Sequence, residues 1–405
     1  MKILKNPKVL VLADQAIFSG TSFLLTILIA RTISVSDFGA YSAIILVAYL
    51  AISAISAWTT QVFQVASDRS IGYISFVFWA HMLLMTIFVA LSKISLLVFS
   101  FHTSKTALIF GFGFVMYDFS RKMLLSLDKI ASTLILDVLT SLLLLIGFYL
   151  FQNLGSTNMS DLLQYFSYAY LISLAFILFL LKPFYFDRKA SKLFIINHIK
   201  EGKWLFLTAI SQWWAGNLFV VASGIYLGAA ALGALRLGQS LFGVLNILLQ
   251  TFENYVLPQS AIKIQQNQTL GIAYIQEMNL KLAYVFIPIL LMIIVFAAPI
   301  MTLAGGLEYT AYAFVLSWLS ILYIFIFLSQ PIRFFFRSMQ MNSHFFYAYF
   351  ISLMFALSSS HWMISTYGLK GVISGLIGSQ ILLMAYWSFI LYLKNINLWK
   401  SSTSY

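Results

Sequence analysis

Residues 204–236 read WLFLTAISQWWAGNLFVVASGIYLGAAALGALR, a long charge-free run that ends on a single arginine. An α-helix needs about 20 apolar residues to cross the hydrocarbon core of a bilayer. This run therefore holds one complete membrane span and the opening of a second. Comparable runs without Asp, Glu, Lys or Arg occupy 72–92, 138–160, 282–307, 338–369 and 371–393. Across the 405 residues, 61% are apolar and 9% charged, against about 25% charged in an ordinary soluble domain. No block of soluble composition interrupts the pattern. The expectation is an all-α integral membrane protein with about twelve transmembrane helices, over 11–32, 39–58, 72–92, 106–127, 131–151, 162–183, 204–226, 231–257, 281–304, 312–332, 345–364 and 370–393.

The basic residues orient these spans, because cytoplasmic loops are enriched in Lys and Arg. With the N-terminus inside, the cytoplasmic segments hold Lys2, Lys5, Lys8, Arg69, Arg121, Lys122, Lys129, Lys182, Arg188, Lys189, Lys192, Lys200, Lys203, Lys263, Lys281, Arg333, Arg337, Lys394 and Lys400. The outer loops hold Lys93, Lys105 and Lys370. Inventing or missing one helix would swap every later loop and destroy this bias. The net charge of +12 is thus a consequence of topology, and nucleic acid is not expected as a partner. Both termini are expected in the cytoplasm. The early lysines imitate a secretory signal, but the apolar run through Ala30 is too long and lacks a small-x-small cleavage site, so it reads as an uncleaved first span.

Zero cysteines exclude disulfides, thiolate metal sites and a cysteine nucleophile. His81, His102, His344 and His361 show no ligand spacing, so neither a metal, a cofactor nor a catalytic residue is expected. The basic segment 182–203 sits near the midpoint and reads as an amphipathic connector on the anionic leaflet. It divides the chain into an N-terminal six-helix lobe (1–183), a cytoplasmic linker (184–203) and a C-terminal six-helix lobe (204–405).

The lobes repeat each other weakly and in order. A shift of 197 positions pairs Gln15 with Gln212, Ser19 with Gly216 and Thr26 with Ser223. After a three-residue deletion, 38–41 (FGAY) meets 232–235 (LGAL), Ser42 meets Arg236, Ser56 meets Gln250 and Thr60 meets Asn254. Further on, Arg121 and Ser126 match Arg333 and Ser338. Six spans per lobe is an even number, so both lobes insert the same way up, related by a pseudo-twofold axis along the membrane normal.

At about 100° per residue, Gln15, Ser19, Ser22 and Thr26 align on the first span, and Ser42, Tyr49, Ser53, Ser56 and Thr60 on the second. Gln212, Gly216 and Ser223 align on the seventh. On the eighth, Arg236, Gln239, Gly243, Asn246, Gln250, Glu253 and Asn254 share one face over the whole helix. Hydroxyl stripes also arise from close helix packing, but an arginine, four amides and a glutamate exceed what packing requires. They predict a water-lined path. Arg236, in the first turns of its span, should face a cavity in the outer half of the bilayer, since a buried guanidinium needs a partner or a task. Arg31 ends the first span off its polar stripe, with Asp37 as a local partner. Asp118 precedes Lys122 by four residues, the spacing of an intrahelical ion pair. Asp14 and Asp137 lie within spans as protonation candidates.

The run Gln15 to Arg31, followed by 36–41 (SDFGAY), resembles the opening of Wzx-type polysaccharide-transporter flippases. These belong to the multidrug/oligosaccharidyl-lipid/polysaccharide exporter (MOP) superfamily. The second copy, from Leu227-Gly228 through Gly233-Ala234-Leu235-Arg236, resembles that family's junction between the seventh and eighth helices. The resemblance implies two six-helix lobes around a central cavity and alternating access. It implies a polyprenyl-diphosphate-linked oligosaccharide, carried from the cytoplasmic to the outer leaflet of the bacterial inner membrane for O-antigen (lipopolysaccharide), capsule or exopolysaccharide assembly. Membrane lipids, a coupling cation and a glycan polymerase would be its partners. Arg31 and Arg236 match positions thought to meet the diphosphate in related lipid II flippases. Ser42 stands where a symmetric charge would fall, so the anion site leans toward the C-terminal lobe. Substrate contacts are thus expected from Arg236, Arg31, Gln239, Asn246, Gln250, Glu253, Gln15 and Gln212. Two alternatives stand beside this reading. One is a cation-coupled drug or metabolite antiporter of the same superfamily, using Asp14, Asp137 or Glu253. The other is a membrane glycan polymerase or ligase, an enzyme class that usually carries a long outer loop that this chain lacks.

Overall fold

Chain breaks between helices recur at equivalent places in the two halves, and they set the architecture. The computed structural model describes residues 7–66, 68–98, 105–155, 158–185 and 188–398; Lys2, Lys5 and Lys400 lie outside them. The first half contains α1 (Pro7–Thr32), α2 (Val35–Trp58), the short α3 (Thr60–Val65), α4 (Ile71–Val98), α5 (Lys105–Ser126), α6 (Ile130–Asn153) and α7 (Met159–Leu181). There follow α8 (Arg188–Leu227), α9 (Ala229–Gln266), α10 (Gln268–Val295), the short α11 (Ala297–Gly305), α12 (Phe314–Ser338) and α13 (Asn342–Leu393). No strand occurs among the described residues.

Ten of these helices are long and apolar enough to cross a membrane. α13 counts once among them but is broken at Gly368 (φ 57°, ψ −137°), a left-handed conformation that glycine adopts without penalty. α5 is not among the ten, because Asp118, Arg121 and Lys122 sit inside it. All twelve apolar stretches of the sequence fall on helices, 281–304 being divided between α10 and α11.

The helices overrun the expected spans. α9 has 38 residues, about 57 Å at 1.5 Å per residue, against a hydrocarbon core of about 30 Å. Its continuation past 257 and the start of α10 at Gln268 are polar helix. Hydropathy ends a span where apolar residues stop, whereas a helix ends where its capping does: Asn267 leaves helical geometry (φ −159°) and accepts from the Thr269 amide. Likewise the connector is helical from Arg188 and runs without a break into the seventh apolar stretch.

The chain forms two compact units that divide at Trp213/Trp214, within α8. In the first unit α5 packs on α2 and α7, and α6 on α1 and α7. At the α5–α7 contact a Cβ added at Gly113 would lie 2.7 Å from that of Tyr170. The connector part of α8 belongs to this unit and is tied down. His198 Nδ1 donates to the Trp58 carbonyl at 2.6 Å, which leaves Nε2 to accept from the Tyr73 hydroxyl at 2.7 Å. In the second unit α12 is the central helix, packed against α9, α10 and α13. Phe334, Phe335, Phe336, Trp387 and Leu391 form part of its core.

The weak sequence repeat has a structural counterpart in the helix caps. Ser34 precedes α2 and Gly228 precedes α9, one in each copy of the same frame. The amides of Phe38 and Leu232 donate back to their carbonyls at 2.9 and 3.4 Å. Two residues past their ends, α5 and α12 are each followed by a residue with φ 54°, Asp128 and Gln340. Behind them, Lys129 N donates to Leu124 O and Met341 N to Phe336 O, each at 2.9 Å. That six-to-one bond closes a Schellman cap.

Candidate functional site

Burial on α9 separates its two faces. Leu245 and Leu249 are buried, whereas Asn246, Gln250 and Asn254 are exposed along the opposite side. Arg236, seven residues into the helix, is half-buried, and its Nη1 donates to Gln239 Oε1 at 3.0 Å, one turn on. The glutamine accepts with its oxygen and so fixes the orientation of the guanidinium fork. Glu253 stands at the edge of this face and turns inward. It pairs with Arg337 and lies 3.9 Å from Arg333 Nη2, both on α12. Periodicity alone could not show that direction.

In the first unit, Gln15 is exposed on α1 and donates to Ser19 Oγ at 2.8 Å. Arg31 is exposed at the end of α1, and Gln212 is exposed on α8. Asp37 accepts from the Ser34 hydroxyl at 2.8 Å, while Ser34 Oγ accepts from the Asp37 amide at 3.1 Å. That reciprocal pair caps α2. Ser42 is buried. The structure therefore groups Arg236, Gln239, Asn246 and Gln250 on one helix face. It joins Glu253 to α12 instead of leaving it on that face.

The sequence reading missed a second charged constellation. Arg121, counted there among cytoplasmic-side residues, is buried inside α5. Its Nη2 donates to Asp14 Oδ2 of α1 at 2.7 Å. Its Nε lies 2.7 Å from Asp137 Oδ2 of α6 as an ion pair, without the alignment of a hydrogen bond. The Tyr117 hydroxyl donates to the other oxygen of Asp137 at 2.7 Å, and the Phe18 ring lies 3.9 Å from the guanidinium carbon. Asp14, a protonation candidate by sequence, thus has Arg121 as its partner. The depths carried the signal. Asp14 and Asp137 each lie seven residues into their helices and Arg121 five from the end of its own, all within about 10 Å of the same side at 1.5 Å per residue. The Lys122–Asp118 pair forms as expected, at 2.6 Å.

Among the described residues no group of three or more His, Cys, Asp or Glu side chains could hold a metal ion.

No protein-family model matches the sequence, and no curated protein matches it. Solved structures do. An inward-facing multidrug resistance MATE family transporter of the MOP superfamily superposes with a TM-score of 0.68 at 15% identity, over 98% of this chain and 100% of that one. The lipid II flippase MurJ, in an inward closed conformation, gives 0.67 at 14%, over 95% and 87%. A MOP superfamily transporter from Pyrococcus furiosus gives 0.59 at 14%, over 98% and 97%. At such identities the likeness establishes the fold. This is a multi-pass, all-helical membrane protein with the fold of MOP superfamily transporters.

Proposed function

We propose that the chain is a flippase, carrying a polyprenyl-diphosphate-linked oligosaccharide from the cytoplasmic to the outer leaflet of the bacterial inner membrane for surface-polysaccharide assembly. The observation that carries this reading is the polar face of α9, headed by the half-buried Arg236 and backed by buried leucines. A diphosphate leaving water needs compensating charge, and a guanidinium offers paired donors that match phosphate oxygens. Gln239 holds that fork in place. Asn246 and Gln250 can both donate to and accept from sugar hydroxyls, so successive hydroxyls find partners along the helix without one sugar being required. The fold shared with a lipid II flippase supports the reading.

A drug or metabolite antiporter is the second reading, favoured by the fold shared with MATE transporters. It calls for an intramembrane carboxylate open to a cation. The carboxylates considered for that role are engaged: Asp14 and Asp137 hold Arg121, and Glu253 faces Arg333 and Arg337. Expression in a strain lacking its own flippase decides between the two. Recovery of surface polysaccharide with clearance of the accumulated lipid-linked precursor supports the flippase. Drug efflux without either overturns it.

A further inference from the structure

The first unit carries an apolar groove that the flippase reading does not use. It has a volume of about 560 Å³ and lies between α4 and the connector part of α8, with Trp58 of α2 in its wall. Phe76, Trp79 and Leu83 line it from α4, and Ile195 and Ile199 from α8. Its volume falls among those of small-ligand sites, about 300–1,000 Å³. The rim is open, with Leu83 61% and Ile199 56% exposed. The α4 wall belongs to a stretch long and apolar enough to cross a membrane, Ile71–Leu91. Such a surface favours a hydrocarbon chain over water.

Contacts within the unit hold the walls in place. Trp79 Nε1 donates to the Pro183 carbonyl at 2.7 Å. Tyr73 of α4 stacks on Phe194 of α8 with ring centroids 4.3 Å apart. The connector passes so close to α2 that a Cβ added at Gly202 would lie 2.8 Å from Trp58 Cε3. A groove formed in advance costs its ligand little ordering.

The charge beside the groove has a sign. Lys192 stands three residues before Ile195, and Lys203 four residues after Ile199. At about 100° per residue, these lysines fall about 20° and 40° from Ile199 around the helix, whereas Glu201 falls about 160° away. Both lysines are exposed, and neither pairs with a carboxylate of the described residues. Lys203 Nζ lies 5.7 Å from the centre of the Trp204 ring. Trp204 is 66% exposed, as suits an indole at the level of lipid headgroups. A hydrocarbon groove bracketed by two cations matches a molecule with an acyl chain and a negative headgroup.

We propose that this groove is a binding site for an anionic phospholipid, with an acyl chain between α4 and α8 and the headgroup phosphate between Lys192 and Lys203.

The test is thermal unfolding of the purified, delipidated full chain in detergent at constant ionic strength. Palmitoyl-oleoyl phosphatidylglycerol is added in one arm and phosphatidylcholine with the same chains in another. A ligand bound only by the folded state raises the midpoint with its concentration. Wild type should show a saturable rise of a few degrees, half-complete at about tenfold less phosphatidylglycerol than phosphatidylcholine, since each lysine near the surface favours an anionic lipid. Lys192→Gln combined with Lys203→Gln should bring the two lipids to the same half-saturating amount. Ala80→Phe, which fills the groove from α4, should remove the rise with both. If that variant does not fold, Leu83→Asn at the exposed rim takes its place and should raise both half-saturating amounts. Lys281→Gln, on α10 in the second unit, should keep the preference. Equal response to the two lipids in wild type, or a preference that survives the double lysine substitution, overturns the site. A response unchanged by the groove variant overturns it too, and loss of the preference in Lys281→Gln reduces it to general surface charge. A third arm with a polyprenyl phosphate that saturates at a still lower amount assigns the groove to that lipid and overturns the phospholipid. The assay needs no transport, so its outcome is separate from that of the flippase reading.

Discussion

Arg121 reaches Asp14, 107 residues earlier in the chain, at 2.7 Å, and the same guanidinium lies against Asp137. One cation thus joins α1, α5 and α6 inside the first unit. In the second unit the proportions are reversed, with Glu253 between Arg333 and Arg337. Arg121 and Arg333 are the arginines that the internal repeat sets opposite each other, so the two copies keep the cation and differ in what surrounds it.

Removing Arg121 should be far more damaging than removing its neighbour. Arg121→Ala strands two carboxylates in a buried site, a loss of about 3–5 kcal/mol for a broken buried pair. Lys122→Ala breaks a partly exposed intrahelical pair worth about 0.3–0.5 kcal/mol. Thermal unfolding of the purified variants compares them directly. Combining Arg121→Met with Asp14→Asn and Asp137→Asn should recover much of the stability, because an isolated charge costs more than a neutral triad. Equal loss at Arg121 and Lys122 would show that the cluster does not hold the helices together.

The α5–α7 contact gives a finer test from two glycines on one helix. Gly113→Ala places a Cβ 2.7 Å from that of Tyr170, whereas nothing lies within 4 Å of a Cβ at Gly111. Overpacking of that kind costs about 1–3 kcal/mol, while alanine in an open helical position gains up to about 1 kcal/mol over glycine. The two substitutions should therefore move the unfolding midpoint in opposite directions. A fall of similar size in both would contradict the packing.

Single cysteines on α9 read its two faces. Asn246→Cys and Gln250→Cys should react with a membrane-impermeant thiol reagent, and Leu245→Cys and Leu249→Cys should remain protected. The chain has no native cysteine, so the background is clean. Uniform labelling around the helix would rule out a one-sided aqueous path.

That face was readable in the sequence because a period of 3.6 residues brings Arg236, Asn246 and Gln250 together within a single helix. The Arg121 cluster has no such period, because its members sit on three helices, and only their common depth in the helices links Asp14 to residue 121. Burial of a charge implies a partner, but which partner depends on packing. Glu253 shows the same limit on a smaller scale, since its place at the stripe's edge leaves two directions open and the contact with α12 selects one. The long polar ends of α9 and α10 escaped notice because hydropathy reports the bilayer and capping reports the helix.

Orientation is testable independently of packing. Reporter fusions at Lys192 and Asn158 should read cytoplasmic and external respectively, as the distribution of basic residues requires. A cytoplasmic signal at Asn158 would break the alternation and, with it, the placement of Arg236 in the outer half of the bilayer.

The sharpest functional test is the identity of the cation on α9. Arg236→Ala should leave the protein inserted and folded, since Arg236 is only half-buried, yet it should abolish export of the lipid-linked glycan. Arg236→Lys should recover part of the activity, because an ammonium keeps the charge and loses the fork that grips two phosphate oxygens. Arg31→Ala should do less harm, as Arg31 is exposed at the end of α1. The measurement is surface polysaccharide in a flippase-deficient strain at matched membrane expression. Full complementation by Arg236→Ala would place the anion contact elsewhere. Arg333 and Arg337 would then be the next substitutions, and a loss of export there with an intact α9 face would move the substrate path to α12.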